Sequence, residues 1–207
     1  MVASAKTDTR TSYEKWLDGV KKGAGTPAWN KWDCDIQSAV LAYNAHLSKT
    51  PGYSMLDWHV IKAILCVESG PHTPVWNTRP MQIGNPGDSG LREFFKEGGK
   101  GELILPPQWK GTLTEASVRS NPTHNIQAGI GYLLTTLAKS DIKVEFVEDK
   151  NAKNGKRRVE RRVITGWKPA TAANVKKYNG GGHQEYEKRY DAALELMRSS
   201  QGAVCAQ

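Results

Sequence analysis

Hydrophobic side chains recur every three or four residues in most of this chain and alternate with polar ones in a single stretch. The three-to-four-residue period predicts amphipathic helices, and the alternation predicts a β-hairpin over residues 142–164. The predicted helices cover residues 12–23, 33–48, 54–68, 89–97, 121–140, 171–179 and 183–200. The pattern therefore predicts a mainly α protein of the α+β class.

Capping residues mark where two of these helices begin. Ser54 followed by Asp57 resembles a capping box at the start of the third helix. Asn121 followed by Pro122 is typical of a helix N-terminus. Gly129 and Gly131 then lie inside that helix, where glycine costs stability, so we expect close packing or close approach of a ligand there.

The spacing of the elements predicts the domain organisation. Residues 1–11 are polar and form a flexible N-terminus, residues 12–207 form one domain, and the basic hairpin at 142–164 is inserted into it. Glycine and proline dominate residues 69–111. So long a loop-rich section is unusual in a compact domain unless it is functional.

Composition and charge narrow the classes of partner. The 207 residues are 38% hydrophobic and 24% charged, with no apolar run long enough for a membrane span and no apolar core of a signal peptide near the N-terminus. The net charge of +8 favours anionic partners such as nucleic acid, anionic membranes or acidic wall polymers. Residues 150–162 carry seven basic residues and one acid, but no interleaved aromatics, so we interpret them as a solvated hairpin tip and expect no nucleic acid partner.

The three cysteines, Cys34, Cys66 and Cys205, do not form a disulfide framework, because their number is odd and their spacing wide. Cys34 and Cys66 could pair if their helices touch, although buried, reduced thiols are favoured. The chain has no CxxC or HExxH motif and only five scattered histidines. We therefore expect neither a metal site nor a cofactor.

Glu68 is the most informative candidate for chemistry. It follows Val60 and Ile64 at intervals of four, so it continues the apolar face of the third helix. Burial disfavours the charged carboxylate and raises its pKa, which suits a general acid. The alternative is a structural glutamate that caps a neighbouring helix or pairs with Arg79.

Four short motifs in a fixed order add to this picture. Glu68-Ser69 is followed by Pro80-Met81-Gln82-Ile83, by a helix with Asn125-Ile126, Gly129 and Tyr132-Leu133, and by Tyr178-Asn179-Gly180-Gly181. This order resembles the lysozyme-like lytic transglycosylase superfamily, which includes goose-type lysozymes. The resemblance implies a lysozyme-like helical domain that cleaves the β-1,4 bond between N-acetylmuramic acid and N-acetylglucosamine in peptidoglycan.

The resemblance also implies roles for individual residues, each with core packing as its alternative. Glu68 matches the catalytic acid, and Tyr178 matches a tyrosine whose hydroxyl lies near it. The other matched residues are expected to orient or line the substrate site: Ser69, Met81, Gln82, Ile83, Asn125, Tyr132 and Asn179. The chain departs from the family at Pro80, at "GNPGD" after the second motif, and in the hairpin between the last two motifs.

A second carboxylate would decide the product. A hydrolytic muramidase needs a held water, and Asp88 in the loop after Met81-Gln82 is the candidate for holding it; its alternative is an Asx-turn residue. Glu93, Glu97 and Glu102 are weaker candidates. The sequence favours a muramidase, with a lytic transglycosylase giving 1,6-anhydro products and a non-catalytic wall-binding module as alternatives.

The expected partners follow from this reading. Trp76 and Trp109 flank the proposed cleft and could stack on sugar rings, the alternative being core packing. We expect a monomer that binds peptidoglycan glycan strands in the periplasm or wall of a target bacterium. Without a signal peptide, a secretion system such as type VI, phage lysis or a longer chain would deliver it, and a toxin would be accompanied by an immunity protein.

Overall fold

The computed structural model describes residues 8–148, 151, 155–181, 184–203 and 205, and it is mainly helical with one small sheet. This confirms the predicted mainly α, α+β class. The helices are α1 (Ser12–Gly23), α2 (Asp33–Leu47), α3 (Trp58–Glu68), α4 (Gly90–Phe94), α5 (Lys100–Ile104), α6 (Glu115–Ser120), α7 (Pro122–Leu137), α8 (Ala172–Val175) and α9 (Tyr186–Ser199). The strands are β1 (Ala138–Glu148) and β2 (Lys156–Trp167), and 3₁₀ turns span Pro74–Asn77, Pro107–Trp109 and Lys176–Asn179.

Two helices, α3 and α7, form the centre of the molecule. Every residue of α3 from Val60 to Cys66 is buried, and α3 packs against α9 and α2. Helix α7 contacts α2, α4, α5, α6 and α8. A Cβ atom at Gly131 would collide with the Phe94 ring and the Tyr43 hydroxyl, so glycine there lets α4 and α2 approach α7 closely.

The start of α3 differs from its prediction. Asp57, not Ser54, is the N-cap: its carboxylate accepts a hydrogen bond from the His59 N–H at 3.0 Å, and the helix begins one residue later. The same carboxylate accepts from the Arg198 guanidinium of α9 at 2.9 Å. A carboxylate at a helix N-terminus also interacts favourably with the helix dipole, which explains why Asp57 rather than Ser54 caps α3. Asn121 caps α7 as predicted.

The predicted hairpin is present and longer than its hydrophobic alternation indicated. Strands β1 and β2 pair antiparallel from Ala138↔Trp167 to Glu148↔Lys156, with one register shift between Lys139 and Ser140. Its base joins the core through Ala138 and Ile164. The predicted Asn154 turn lies outside the described residues, as do residues 1–7 of the predicted flexible N-terminus.

Some features of the ends and connections were not predicted. Thr11 forms a capping box with Glu14, and Arg10 bonds to Asp18, so residues 10–11 belong to the first helical unit. Short helices α5 and α6 lie in the section that the sequence marked as loop or left unassigned. Within the described part of the chain, no helix combines the length and the apolarity that a membrane span requires.

The disulfide differs from both predicted alternatives, because Cys34 bonds to Cys205, 171 residues away in sequence. Cys66 is a free, buried thiol. The one disulfide that the sequence offered as an alternative was Cys34 with Cys66, and the helices that carry these residues, α2 and α3, do touch. The bond secures residues 200–203 against the start of α2.

The segment at residues 200–203 covers a buried ion pair. The Lys62 ammonium lies 2.8 Å from the Asp33 carboxylate, and both side chains are 1% exposed. Asn30 accepts a further hydrogen bond from Lys62 at 2.7 Å, and the Ala203 N–H donates to Asp33 at 2.9 Å. A buried pair is costly to leave without its partners, so the tail and its disulfide protect the most demanding polar contact in the core.

Opening the disulfide should therefore lower stability. Closing a long loop by a disulfide typically contributes about 2–5 kcal/mol, so we expect dithiothreitol to lower the melting temperature by roughly 5–15 °C. The double variant Cys34→Ser/Cys205→Ser is the matched control, because it keeps the Cys66 thiol. It should melt low with or without reductant. An equal melting temperature for the oxidised protein and the double variant would contradict this role for the disulfide.

Candidate active site

Glu68 is the last residue of α3, and its neighbours define where the helix ends. The Ser69 N–H donates to the Leu65 carbonyl at 2.9 Å. The Ser69 hydroxyl lies 3.1 Å from the same carbonyl and 2.8 Å from that of Pro80. Ser69 thus joins the end of α3 to the segment that contains Met81, and it places Glu68 beside that segment.

The Met81–Ile83 segment is held by one buried side chain, Asn125 of α7. The Asn125 carboxamide oxygen accepts from the Met81 N–H at 3.0 Å. Its nitrogen donates to the Ile83 carbonyl at 2.9 Å and lies 3.3 Å from that of Val118. These contacts use both the oxygen and the nitrogen of the Asn125 carboxamide. They fix the backbone of the Met81–Ile83 segment relative to α7.

Tyr178 and Gly129 secure the other side of Met81. The Tyr178 hydroxyl donates to the Met81 carbonyl at 2.7 Å. A Cβ atom at Gly129 would lie 2.7 Å from the Met81 Cβ and 2.9 Å from the Tyr178 hydroxyl oxygen. The glycine therefore makes room for this contact, as its position inside a helix predicted.

Gln82 adopts an unusual backbone conformation between these anchors. Its φ of +50° makes it the one non-glycine residue with positive φ in the described ranges. Such conformations cost about 1–3 kcal/mol and concentrate at functional sites. Here the conformation follows from the hydrogen bonds to Met81 and Ile83 on either side, and Gln82 itself lines a cleft.

That cleft has a volume of about 280 Å³ and lies in front of Glu68. It brings together seven of the predicted site residues with three residues that were not predicted to belong to the site. Its lining is Glu68, Gln82, Ile83, Asp88, Tyr132, Tyr178 and Asn179 together with Asn85, Ser89 and Gly180; Tyr132 and Tyr178 pack with ring centroids 5.5 Å apart.

A larger cavity of about 450 Å³ lies elsewhere, between the loop before α3 and the end of β2. Tyr53, Trp167 and Arg198 are among its lining residues. Its carboxylate, Asp57, is already engaged as the cap of α3 and by Arg198. The smaller cleft is the better candidate because it contains two carboxylates, Glu68 and Asp88, and neither of them is paired with a cation among the described residues.

The environment of Glu68 favours its protonated form. Burial raises the pKa of Glu68 to about 7, and the nearby negative charge of Asp88 adds to the increase. The Asn179 carboxamide donates a hydrogen bond to Glu68 Oε1 at 3.3 Å, and this bond partly opposes the increase in pKa. The side chain reaches the cleft at its tip while its stem is surrounded by protein, which is the setting expected of a general acid.

Tyr186 of α9 is the neighbour of Glu68 that the sequence did not identify. Its buried hydroxyl has no well-aligned hydrogen-bond partner among the described residues, yet it lies near enough to Glu68 to lower the carboxyl pKa. The carboxylate in turn raises the pKa of Tyr186, after the larger effect of burial. Tyr186 lies in none of the four motifs, and the packing of α9 on α3 brings it to Glu68.

Asp88 reaches the cleft and also organises its own loop. Its Oδ2 accepts from the Gly84 N–H at 2.9 Å, and its Oδ1 accepts from the Gly90 N–H at 2.7 Å. The turn role that the sequence offered as an alternative is therefore present. Each carboxylate oxygen can accept a second hydrogen bond, so a water could still be held on the cleft side.

The structure places several of the residues that were predicted to line the site behind the cleft or in the core. Asn125 and Met81 are fully buried and support the cleft from behind, and Ser69 acts in the same way. Trp76 is 2% exposed and packs on Trp29, while Trp109 packs edge-on against Tyr43. Trp76 thus has the core packing that was its alternative, and Trp109 is half-buried against the core.

The remaining carboxylates of the loop section do not line the cleft. Glu93 lines a small adjoining cavity with Tyr132 and Lys100, and Glu97 and Glu102 are exposed. Within the described residues, Arg79 makes no salt bridge to Glu68. Glu68 and Asp88 are thus the two acids of the site.

No protein-family model, curated protein or solved structure matches this chain.

The raised pKa of Glu68 makes stability depend on pH. A carboxyl with a folded pKa of about 7, above its ordinary 4.5, favours the folded state most when protonated, so its contribution is lost as pH rises from about 4.5 to 7. The Glu68→Gln variant has no titrating carboxyl at this position, so it does not lose stability in this way as pH rises. We expect its melting temperature to exceed that of the parent protein increasingly between pH 5 and pH 8. Parallel melting curves across that range would contradict the shift.

Proposed function

We propose that the protein is a peptidoglycan-cleaving muramidase that uses Glu68 as general acid on the β-1,4 bond between N-acetylmuramic acid and N-acetylglucosamine. The observation that carries the proposal is a half-buried carboxyl that lines a cleft together with motif residues, in surroundings whose burial raises its pKa to about 7. The order of the four motifs supports the substrate class.

The geometry suggests how the proton is delivered. Asn179 donates to Oε1 of Glu68, which leaves Oε2 to carry the proton toward the glycosidic oxygen. Protonation of that oxygen as the bond breaks assists departure of the sugar, and the ionised Glu68 then serves as base. Tyr186, beside the carboxylate, helps to hold the negative charge that forms on Glu68.

Asp88 is the candidate for the water-holding group of hydrolysis. It shares the cleft with Glu68, and its charge acts on the Glu68 carboxyl. A carboxylate in this position would also stabilise the positive charge that develops on the sugar ring. Its backbone contacts would hold it in one orientation during the reaction.

The same contacts favour the alternative, a lytic transglycosylase. Both Asp88 oxygens already accept a backbone hydrogen bond, and Glu68 alone can act as acid and then base. In that reaction the 6-hydroxyl of the muramic acid attacks, and the product is a 1,6-anhydro sugar. The two chemistries differ by one water in product mass.

Glu68→Gln should abolish the release of soluble fragments from purified peptidoglycan. We expect a loss of about 10²–10⁴-fold, which is what general acid catalysis typically contributes. Activity of the parent protein should fall as pH rises through about 7. Glu102→Gln, an exposed acid outside the cleft, is the matched control and should retain activity. Full activity of Glu68→Gln would refute the assignment.

Asp88→Asn tests the second carboxylate through the identity of the product. If Asp88 holds the attacking water, mass spectrometry should show slower cleavage, by roughly 10²-fold, and a shift from reducing-end muramic acid to the anhydro form. Asp191→Asn, on the exposed side of α9, controls for loss of one charge. Hydrolysis at the native rate by Asp88→Asn would exclude the water-holding role.

A further inference from the structure

Basic side chains from five separate segments converge beside the cleft, at the base of the hairpin. They come from the start of α5, the first and second strands, the residue after β2, and the 3₁₀ turn that precedes Asn179. In chain order they are Lys100, Lys139, Arg162, Lys168 and Lys177, which we call the basic cluster.

Backbone geometry places these residues together. The Lys168 N–H donates to the Leu137 carbonyl at 2.9 Å, so Lys168 lies at the C-terminus of α7. Lys139 pairs with Gly166 across the sheet, and its Cδ lies 3.9 Å from where a Cβ of Gly166 would be. The Lys139 side chain therefore crosses over Gly166 toward the same end of the hairpin as Lys168.

Two more members join from the neighbouring loops. Lys100 donates to the carbonyls of Thr135 and Ala138 at the end of α7. Arg162 donates to the Gly98 carbonyl at 2.9 Å, close to the start of α5. The cluster thus surrounds the C-terminal end of α7.

The cations of the cluster repel one another. The positive charge of Lys177, and more weakly that of Lys139, lowers the pKa of Lys168. Burial is the largest effect that lowers the pKa of Lys100, followed by the charges of Lys168 and Arg162, with Glu93 opposing. Within the described residues, none of the five forms a salt bridge with a carboxylate. The C-terminal dipole of α7 amounts to about half a negative charge, which cannot balance five cations.

The cluster is continuous with the cleft. Lys177 immediately precedes Tyr178 and Asn179, which line the cleft. Lys100 and Tyr132 line a small cavity of about 140 Å³, and Tyr132 also lines the cleft. A polymer lying in the cleft would therefore present its substituents to these cations.

We propose that the basic cluster binds acidic groups, carboxylates or phosphates, that project from a cell-wall polymer whose glycan strand lies in the cleft. The inference rests on the proposed function for the identity of the polymer. Peptide-stem carboxylates and wall-linked phosphates share this chemistry. Binding there would hold the strand beside Glu68 and would weaken as salt screens the charges.

The test measures binding rather than cleavage, so that it can be separated from a failure of the proposed reaction. The Glu68→Gln protein is sedimented with insoluble purified peptidoglycan over a range of salt concentrations. Two double variants are compared in this background. The cluster pair Lys168→Gln/Lys177→Gln removes one half-buried and one exposed positive charge, and the control pair Lys21→Gln/Lys49→Gln removes two exposed positive charges. We expect the cluster pair to weaken binding about fivefold and to flatten its salt dependence, with less than a twofold change for the control pair.

Two treatments of the peptidoglycan distinguish the sources of acidic groups. Amide coupling neutralises the stem carboxylates, and hydrofluoric acid removes phosphodiester-linked polymers. If one treatment abolishes the difference in binding between the two variant pairs, the group that it removes is the ligand of the basic cluster. The proposal is overturned if both pairs lose binding equally, if neither does, or if the difference persists on peptidoglycan that received both treatments. Circular dichroism confirms that the variants are folded.

Discussion

The hydrogen bonds of Asn125 are the contact on which the cleft depends. Asn125 is fully buried, and its one carboxamide joins α7 to the Met81–Ile83 segment and to the end of α6. Without those bonds, three backbone groups would lose this partner, and a buried polar group without a partner costs about 1–3 kcal/mol. The strained Gln82, the Tyr178 contact and the cleft face of Ile83 all follow from this attachment. The cleft is thus built from the inside, by polar groups that never meet a ligand.

The charge distribution of the site has two parts with opposite requirements. Burial disfavours ionisation of Glu68 and raises its pKa. The cations at the hairpin base are exposed or half-buried, and contact with solvent lowers their mutual repulsion. Cations close to Glu68 would lower its pKa. Because the basic cluster lies apart from Glu68, the site can contain both a carboxyl of raised pKa and a region of positive charge.

The sequence predicted what local periodicity controls. The position of Glu68 on the buried face of α3, the capping of α7 by Asn121, and the hairpin all followed from spacing. It did not predict contacts between distant segments, such as Cys34 with Cys205 or Tyr186 with Glu68, because nothing in the local pattern encodes them. Asn125 and Trp76 show a further difficulty: a motif identifies that a residue is needed, but burial alone reveals whether it contacts a ligand or supports the residues that do.

The seal over the Asp33–Lys62 pair has a consequence for the order in which the protein can fold during synthesis. Asp33 and Lys62 leave the ribosome early, yet the backbone N–H of Ala203 that completes their shell is made about 140 residues after Lys62. Helix α9, the main packing partner of α3, is also made late. The helix that ends in Glu68 therefore remains incompletely packed on a growing chain, and the acid acquires its shielded environment only after α9 and Ala203 have been released.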